Sequence, residues 1–187
     1  LLKSAMSMAA EIYRQRRKRL FALLPDRAAV LLHNGYAPLR NLPSSTYPFR
    51  GSSSVLYLCG ALPQGAVVLL TADSALLFLE PQSAADRVWD GPQPSSDELQ
   101  QRHRFDAVLP RAECAARCGR EKQLCALPSL SQRVQSEVEA LLGRTTDAVD
   151  LLLQDAIIAL RLVHDEAALQ ALRAALTRTI SAFVRAR

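Results

Sequence analysis

Histidine is scarce in this 187-residue chain. His33, His103 and His164 are scattered, and none stands beside paired carboxylates at ligand spacing. No serine or cysteine pairs with a credible base, so no self-contained active site is expected. The four cysteines, Cys59, Cys114, Cys118 and Cys125, form no Cys-x-x-Cys pair. Cys114 and Cys118 fall one helical turn apart, without a histidine at ligand spacing. All four read as reduced, mostly buried thiols that behave as small hydrophobes, not as a disulfide framework. No apolar run approaches the ~18 to 20 residues of a membrane span. The opening LLKSAMSMAA lacks a signal-peptide core and cleavage site. The default expectation is a cytoplasmic protein with no membrane partner. Net charge is also modest, 23 Lys and Arg against 18 Asp and Glu. The densest basic run, RQRRKR at 14–19, continues straight into LFALL without the aromatic interleaving of a nucleic-acid surface. It reads as the solvated face of an amphipathic helix, and no nucleic-acid partner is expected.

What is present is an ordinary globular composition, 49% apolar and 22% charged, enough to bury a core. Residues 9–24 carry part of a helical apolar stripe that ends at Pro25 and Asp26. AAVLLH at 28–33 is a continuous apolar run, as in a strand buried on both faces. Residues 34–54 are rich in proline, glycine and serine and predict a long ordered loop. AVVLLT at 66–71 and ALLFLE at 75–80 predict a hairpin across a three-residue link. An irregular stretch follows from Pro81, then a helix capped by Ser96 or Asp97 and running to about 103. FDAVLP at 105–110 and KQLCAL at 122–127 predict strands, separated by a short helix ended by Gly119. A helix over 129–142 stops at Gly143, and Asp150 is expected to cap a buried helix, LLLQDAIIAL. Residues 165–185 form a last amphipathic helix with Leu169, Leu172, Leu176, Ile180 and Phe183 on one stripe. Strands alternating with helices after a hairpin argue for an α/β fold, a mixed β-sheet with helices on both faces.

Several pieces occur in an order that resembles the N-terminal domain of the Xaa-Pro aminopeptidases, the aminopeptidase P branch of the creatinase and prolidase superfamily. Arg40 and Asn41 follow the first strand. Tyr47, Phe49, Arg50, Ser53, Leu56, Tyr57, Leu58, Cys59 and Gly60 are similar to a stretch of the form Y-x-[FY]-R-x-x-S-x-[FLW]-x-Y-L-[TCS]-G, offset by about one residue among the serines. Trp89 and Gly91 match a W-x-G element. Arg161, Leu162 and Val163 match the approach to the catalytic domain, with His164 where lysine is usual and the acidic residue early, at Glu166.

The resemblance implies a ribonuclease H-like domain over residues 11–160. Residues 1–10 would be a disordered N-terminus or expression scar, with a native start at Met6 or Met8, and residues 161–187 a linker and first helix of a truncated catalytic domain. It implies a parent enzyme that removes the residue preceding proline, using two divalent metals, commonly manganese, in a second domain. Two aspartates, one histidine and two glutamates hold those metals there, and none of these ligand motifs lies in this chain, so the chain alone is expected to be inactive. The domain would build a dimer or tetramer and restrict access for proline-containing peptides. Substrate-side roles are implied for Trp89, Arg50, Tyr47 and Arg40. For Arg50 the alternative is a structural tie, and for Trp89 packing under its own loop. The segment Leu42–Thr46 lacks the aspartate that the family often has near the substrate amine. Prolidase-type dipeptide cleavage, or a non-catalytic peptide- or protein-binding module as in metal-free relatives such as a histone-chaperone subunit, are the alternatives.

Overall fold

The computed structural model describes residues 2–42 and 45–186. Its sheet is built from β1 (Ala28–His33), β2 (Val67–Leu70), β3 (Ala75–Leu79), β4 (Ala107–Pro110) and β5 (Gln123–Ala126). The strand order is β4-β3-β2-β1-β5. The expected hairpin is present: β2 and β3 are antiparallel, joined through a turn in which Thr71 N–H donates to the Ser74 carbonyl at 2.8 Å. β1 pairs antiparallel with β2 on one side and parallel with β5 on the other. β4 is added parallel to β3. Each parallel pair is bridged by helical connections, the requirement for strands running the same way.

The helices are α1 (Leu2–Phe21), α2 (Ser53–Leu58), α3 (Ala84–Asp90), α4 (Ser96–His103), α5 (Cys114–Cys118), α6 (Gln132–Leu142), α7 (Ala148–Leu162) and α8 (Glu166–Arg185). They cover both faces of the sheet. Val30, Leu32, Val68, Leu70 and Leu77 pack with Leu20, Val55, Leu58, Leu99 and Leu153 from α1, α2, α4 and α7. The alternate residues Ala29, Leu31, Val67, Leu69 and Phe78 pack with Cys114, Cys118, Val134 and Val138 from α5 and α6. The period-2 alternation of strand side chains divides one apolar run between two cores, and β1 is buried at all six positions.

Several elements depart from the sequence expectations. α1 begins at Leu2, where the apolar stripe placed a start at residue 9 and the N-terminus was expected to be disordered, and it ends at Phe21. The irregular stretch after Pro81 contains α3, closed by a capping box between Ser83 and Asp86. Ser95, not Ser96 or Asp97, caps α4. Asp147, not Asp150, caps α7. Asp150 instead takes the third helical position, where its buried carboxylate accepts from Ala126 N–H at 2.8 Å and from Arg144 at 2.7 Å, tying α7 to the end of β5. The continuous apolarity of α7 does not mean full burial. Leu153, Ala156 and Ile157 are buried, but Leu151, Leu152 and Ile158 are about half exposed.

Candidate functional site

The basic run of α1 holds the largest departure. Arg16 and Arg17, read as part of a solvated face, are both buried. Arg17 donates to the carbonyls of Leu58, His103 and Arg104 at 3.3, 3.1 and 2.6 Å. Those are the carbonyl ends of α2 and α4, where the helix dipole is negative, so the guanidinium donors are satisfied there by backbone carbonyls. Gly60 lies beside this contact at φ +86°, and an added Cβ would meet Tyr13 and His103 within 2.8 Å.

Arg16 is the joint between the domain and α8. Its Nε and Nη2 donate to the two oxygens of Asp165 at 2.7 and 2.8 Å, and its Nη1 to the Tyr57 carbonyl at 2.9 Å. The guanidinium also lies 4.2 Å from the centroid of the Tyr57 ring, and Tyr57 O–H donates to the Leu160 carbonyl at 3.3 Å. Asp165 in turn caps α8 by accepting from Ala168 N–H at 2.9 Å. The bonds from Arg16, ahead of that from Ala168, hold the Asp165 carboxyl below the usual carboxylate range. So α8 is fixed in direction at its first turn. Beyond it no α8 residue is buried, and Leu172, Leu176, Ile180 and Phe183 are each more than half exposed.

Around this joint α1, α2, α7 and α8 enclose a groove of about 850 Å³. Its walls are apolar (Ile158, Leu162, Leu172) and aromatic (Tyr13, Tyr57), with Arg50 at the rim. Arg50 is exposed and donates to Ser53 Oγ at 3.2 Å, a tie within its own turn. Tyr47 is 53% exposed, and the stretch is anchored by Val55 and Leu58, both fully buried. Tyr47 does find Arg40, whose guanidinium sits 4.7 Å from the tyrosine centroid. The two are held together by a small loop in which Tyr47 N–H donates to the Pro38 carbonyl and Arg40 N–H to the Ser45 carbonyl. Of the segment lacking a carboxylate, Pro43 and Ser44 lie outside the described residues.

Trp89 stands elsewhere, on α3 after β3, and is 86% exposed. It is not packed under its own loop. Gln82 stabilises that loop by donating to the Gly91 carbonyl at 2.7 Å, so the indole is presented from an ordered support. The structure thus joins Arg40 to Tyr47 and leaves Arg50 and Trp89 on separate parts of the surface, with no hydrogen bond or ring contact linking them among the described residues.

The densest polar cluster was not foreseen. Glu137 on α6 receives Tyr36 O–H at 2.9 Å, His33 Nε2 at 3.0 Å, Arg111 at 3.0 Å and Arg133 at 3.2 Å. Because Gly35 N–H donates to His33 Nδ1, the imidazole proton lies on Nε2. Burial opposes ionisation of Glu137, but the donors from Tyr36, His33 and Arg133 outweigh it and keep the carboxyl below its ordinary range. Both oxygens are occupied, so the cluster ties β1 to α6 and has no base to offer. Among the described residues, no three His, Cys, Asp or Glu side chains come together as a metal site, and no helix is long and apolar enough to cross a membrane.

Comparison with known proteins agrees with this architecture. A family model described as the aminopeptidase P N-terminal domain matches residues 13–124. A Xaa-Pro aminopeptidase of Haemophilus influenzae is 34% identical over 85 residues, 43% of this chain and 20% of that protein. The mitochondrial intermediate cleaving peptidase 55 of Arabidopsis thaliana is 29% identical over 102 residues, 54% of this chain and 20% of that protein. Among solved structures, a variant of Escherichia coli aminopeptidase P in complex with substrate has a TM-score of 0.63 at 17% identity, covering 72% of this chain and 32% of that one. Escherichia coli aminopeptidase P in a low-pH form has a TM-score of 0.61 at the same identity and coverage. At such identity the structural likeness is one of fold. The chain therefore spans 20% of the length of the curated relatives it matches.

Proposed function

The chain belongs to the aminopeptidase P N-terminal domain family, and on that footing we propose that it is the oligomerisation and substrate-access domain of a metal-dependent Xaa-Pro aminopeptidase. The parent enzyme removes the N-terminal residue preceding proline from peptides. The two divalent metals that the resemblance implies for such an enzyme, commonly manganese, would be held in a second, catalytic domain. The residues present do not fit a metal pair, since no ligand group forms among the described residues, so no chemical step is assigned to them.

The observation that carries the reading is the joint at Asp165. The bidentate Arg16 bond fixes where α8 leaves the domain, and the helix then exposes an apolar stripe along its length. An exposed stripe of that size marks a surface to be covered. A following domain and a neighbouring subunit both fit that need. The exposed Trp89 suits a second role. An indole offers an apolar face and a single N–H donor to a proline-containing peptide, and this one is 86% exposed. Arg40 with Tyr47, and separately Arg50, would add cationic and aromatic groups elsewhere on the surface.

The test is hydrolysis of a short Xaa-Pro peptide with manganese present, comparing this chain with the complete reading frame that encodes it. Activity in the complete protein and none in this chain is expected. Activity of this chain alone overturns the proposal. A folded complete protein that is inactive on Xaa-Pro peptides favours a binding module or prolidase-type cleavage.

A further inference from the structure

Cys114 and Cys118 are left unused by the accessory-domain role. They lie four residues apart on one face of α5, with their sulfurs 3.8 Å apart. Both are buried, yet only beneath a single turn whose outer residues, Ala115 and Ala116, are exposed. Cys59 and Cys125 pack in the core on the opposite side of the sheet, so the pair is isolated from other thiols. Burial also pushes the Cys59 thiol up to about 12, which makes it a poor competitor for electrophiles.

Within the pair one S–H is shared. The hydrogen bond from Cys118 holds the Cys114 thiol down and, reciprocally, its own thiol up, and Arg111 further favours the thiolate. A disulfide would require the sulfurs to close to ~2.05 Å, against the spacing that a helical turn imposes. Zinc would call for about four ligands, and no third ligand joins the pair among the described residues. A pyramidal trivalent centre has neither difficulty. It takes two thiolates at a separation wider than a disulfide and close to the one already present.

We propose that Cys114 and Cys118 form a dithiol site for soft trivalent thiophiles, of which a monosubstituted arsenic(III) is the chemical type. With an arsenoso compound, R–As=O and two thiols give R–As(S)2 and water. Two As–S bonds form, the As=O bond breaks, both thiol protons leave in the water, and arsenic stays trivalent. Access comes by opening of α5, a five-residue helix at the surface of the fold, which can detach locally without unfolding the sheet.

The test uses phenylarsine oxide as the probe on the folded full chain, read by intact mass and by counting thiols that still react with a maleimide in denaturant. One adduct per chain, with loss of two thiols, is expected. Excess ethanedithiol should reverse it and excess glutathione should not. Cys114→Ala or Cys118→Ala should weaken capture at least ~100-fold, the advantage of two linked ligands over one, while Cys125→Ala should not. A variant that does not fold is replaced by mapping the wild-type adduct. Cleavage after glutamates releases residues 114–121 as one peptide, and this peptide should carry the arsenic. An adduct that forms only in denaturant, survives either single replacement, maps elsewhere or yields to glutathione overturns the proposal.

Discussion

Replacing Asp165 by asparagine removes one charge from the joint between α7 and α8 and little else. Asparagine has the same size and remains a good N-cap. What is lost is the two-point partner of Arg16 at 2.7 and 2.8 Å, together with the more exposed Arg19 contact at 3.2 Å. The two side chains are only 9% and 15% exposed, so solvent screens the pair weakly. Removing one member of a buried ion pair costs about 3–5 kcal/mol. Arg16 keeps the Tyr57 carbonyl and ring, which points to the lower end, ~3 kcal/mol. With a urea slope of about 2 kcal/mol/M, the unfolding midpoint should drop by ~1.5 M. Asp165→Ala, which also loses the cap to Ala168 N–H, should lose about 1 kcal/mol more. The pH dependence gives an independent check. The folded carboxyl titrates below its unfolded value, so the unfolded chain binds the proton more readily. The stabilisation is complete above pH ~3.9 and is lost as pH falls below that toward the folded value. The gap between wild type and Asp165→Asn should therefore close in acid. A neutral-pH gap under about 1 kcal/mol, or one that does not shrink in acid, refutes the reasoning.

Other outcomes follow from the same contacts. Gly60→Ala places a methyl within 2.8 Å of Tyr13 and His103 at φ +86°. It should cost ~3 kcal/mol in a thermal or urea melt, from left-handed strain plus overpacking. Burial lowers the affinity of both His33 and His103 for a proton. The unfolded chain takes that proton near pH ~6.5, so stability should be level above this and fall as pH drops through the folded values. Equal urea midpoints at pH 8 and pH 5 would count against this. Trp89→Ala should change domain stability by less than about 0.5 kcal/mol, since the side chain is 86% exposed. In the complete enzyme, kcat/KM for a Xaa-Pro peptide should fall about tenfold, equivalent to ~1.4 kcal/mol of lost contact.

The central sheet was legible because its strands are continuous apolar runs. AAVLLH reads as buried on both faces and is buried at every position, and the short link after Thr71 leaves little but a hairpin. Order along the chain, more than any one motif, pointed to the family. Arg16 and Arg17 were not legible. A run of six mainly basic residues looks solvated, and only the fold brings carbonyl ends of two helices and a distant carboxylate to meet them. Their signal was position: at one turn from Leu20, they fall on the side of α1 that packs inward. α3 was hidden because Ala84–Asp90 has no apolar period and sits between proline-rich segments, although Ser83 followed by Asp86 spelled its capping box. The exchange of Asp147 and Asp150 has a similar cause. Two carboxylates three residues apart both suit a helix start, and only the position of β5 decides which one turns inward. Trp89 was singled out by resemblance alone. Its composition context said nothing of exposure.

That α8 leaves the domain to be covered elsewhere is tested most directly by hydrogen exchange of this chain, with its oligomeric state measured alongside. In a monomer, amides from about Leu172 onward should exchange far faster than those of β1 and of the buried side of α7, and the amides of Ala168 and Leu169, both bonded to Asp165, should be the best protected of the helix. In the complete protein the same amides should become protected. A monomer in which α8 is protected along its length as firmly as β1 would contradict the account, because the helix would then be part of the domain's own core.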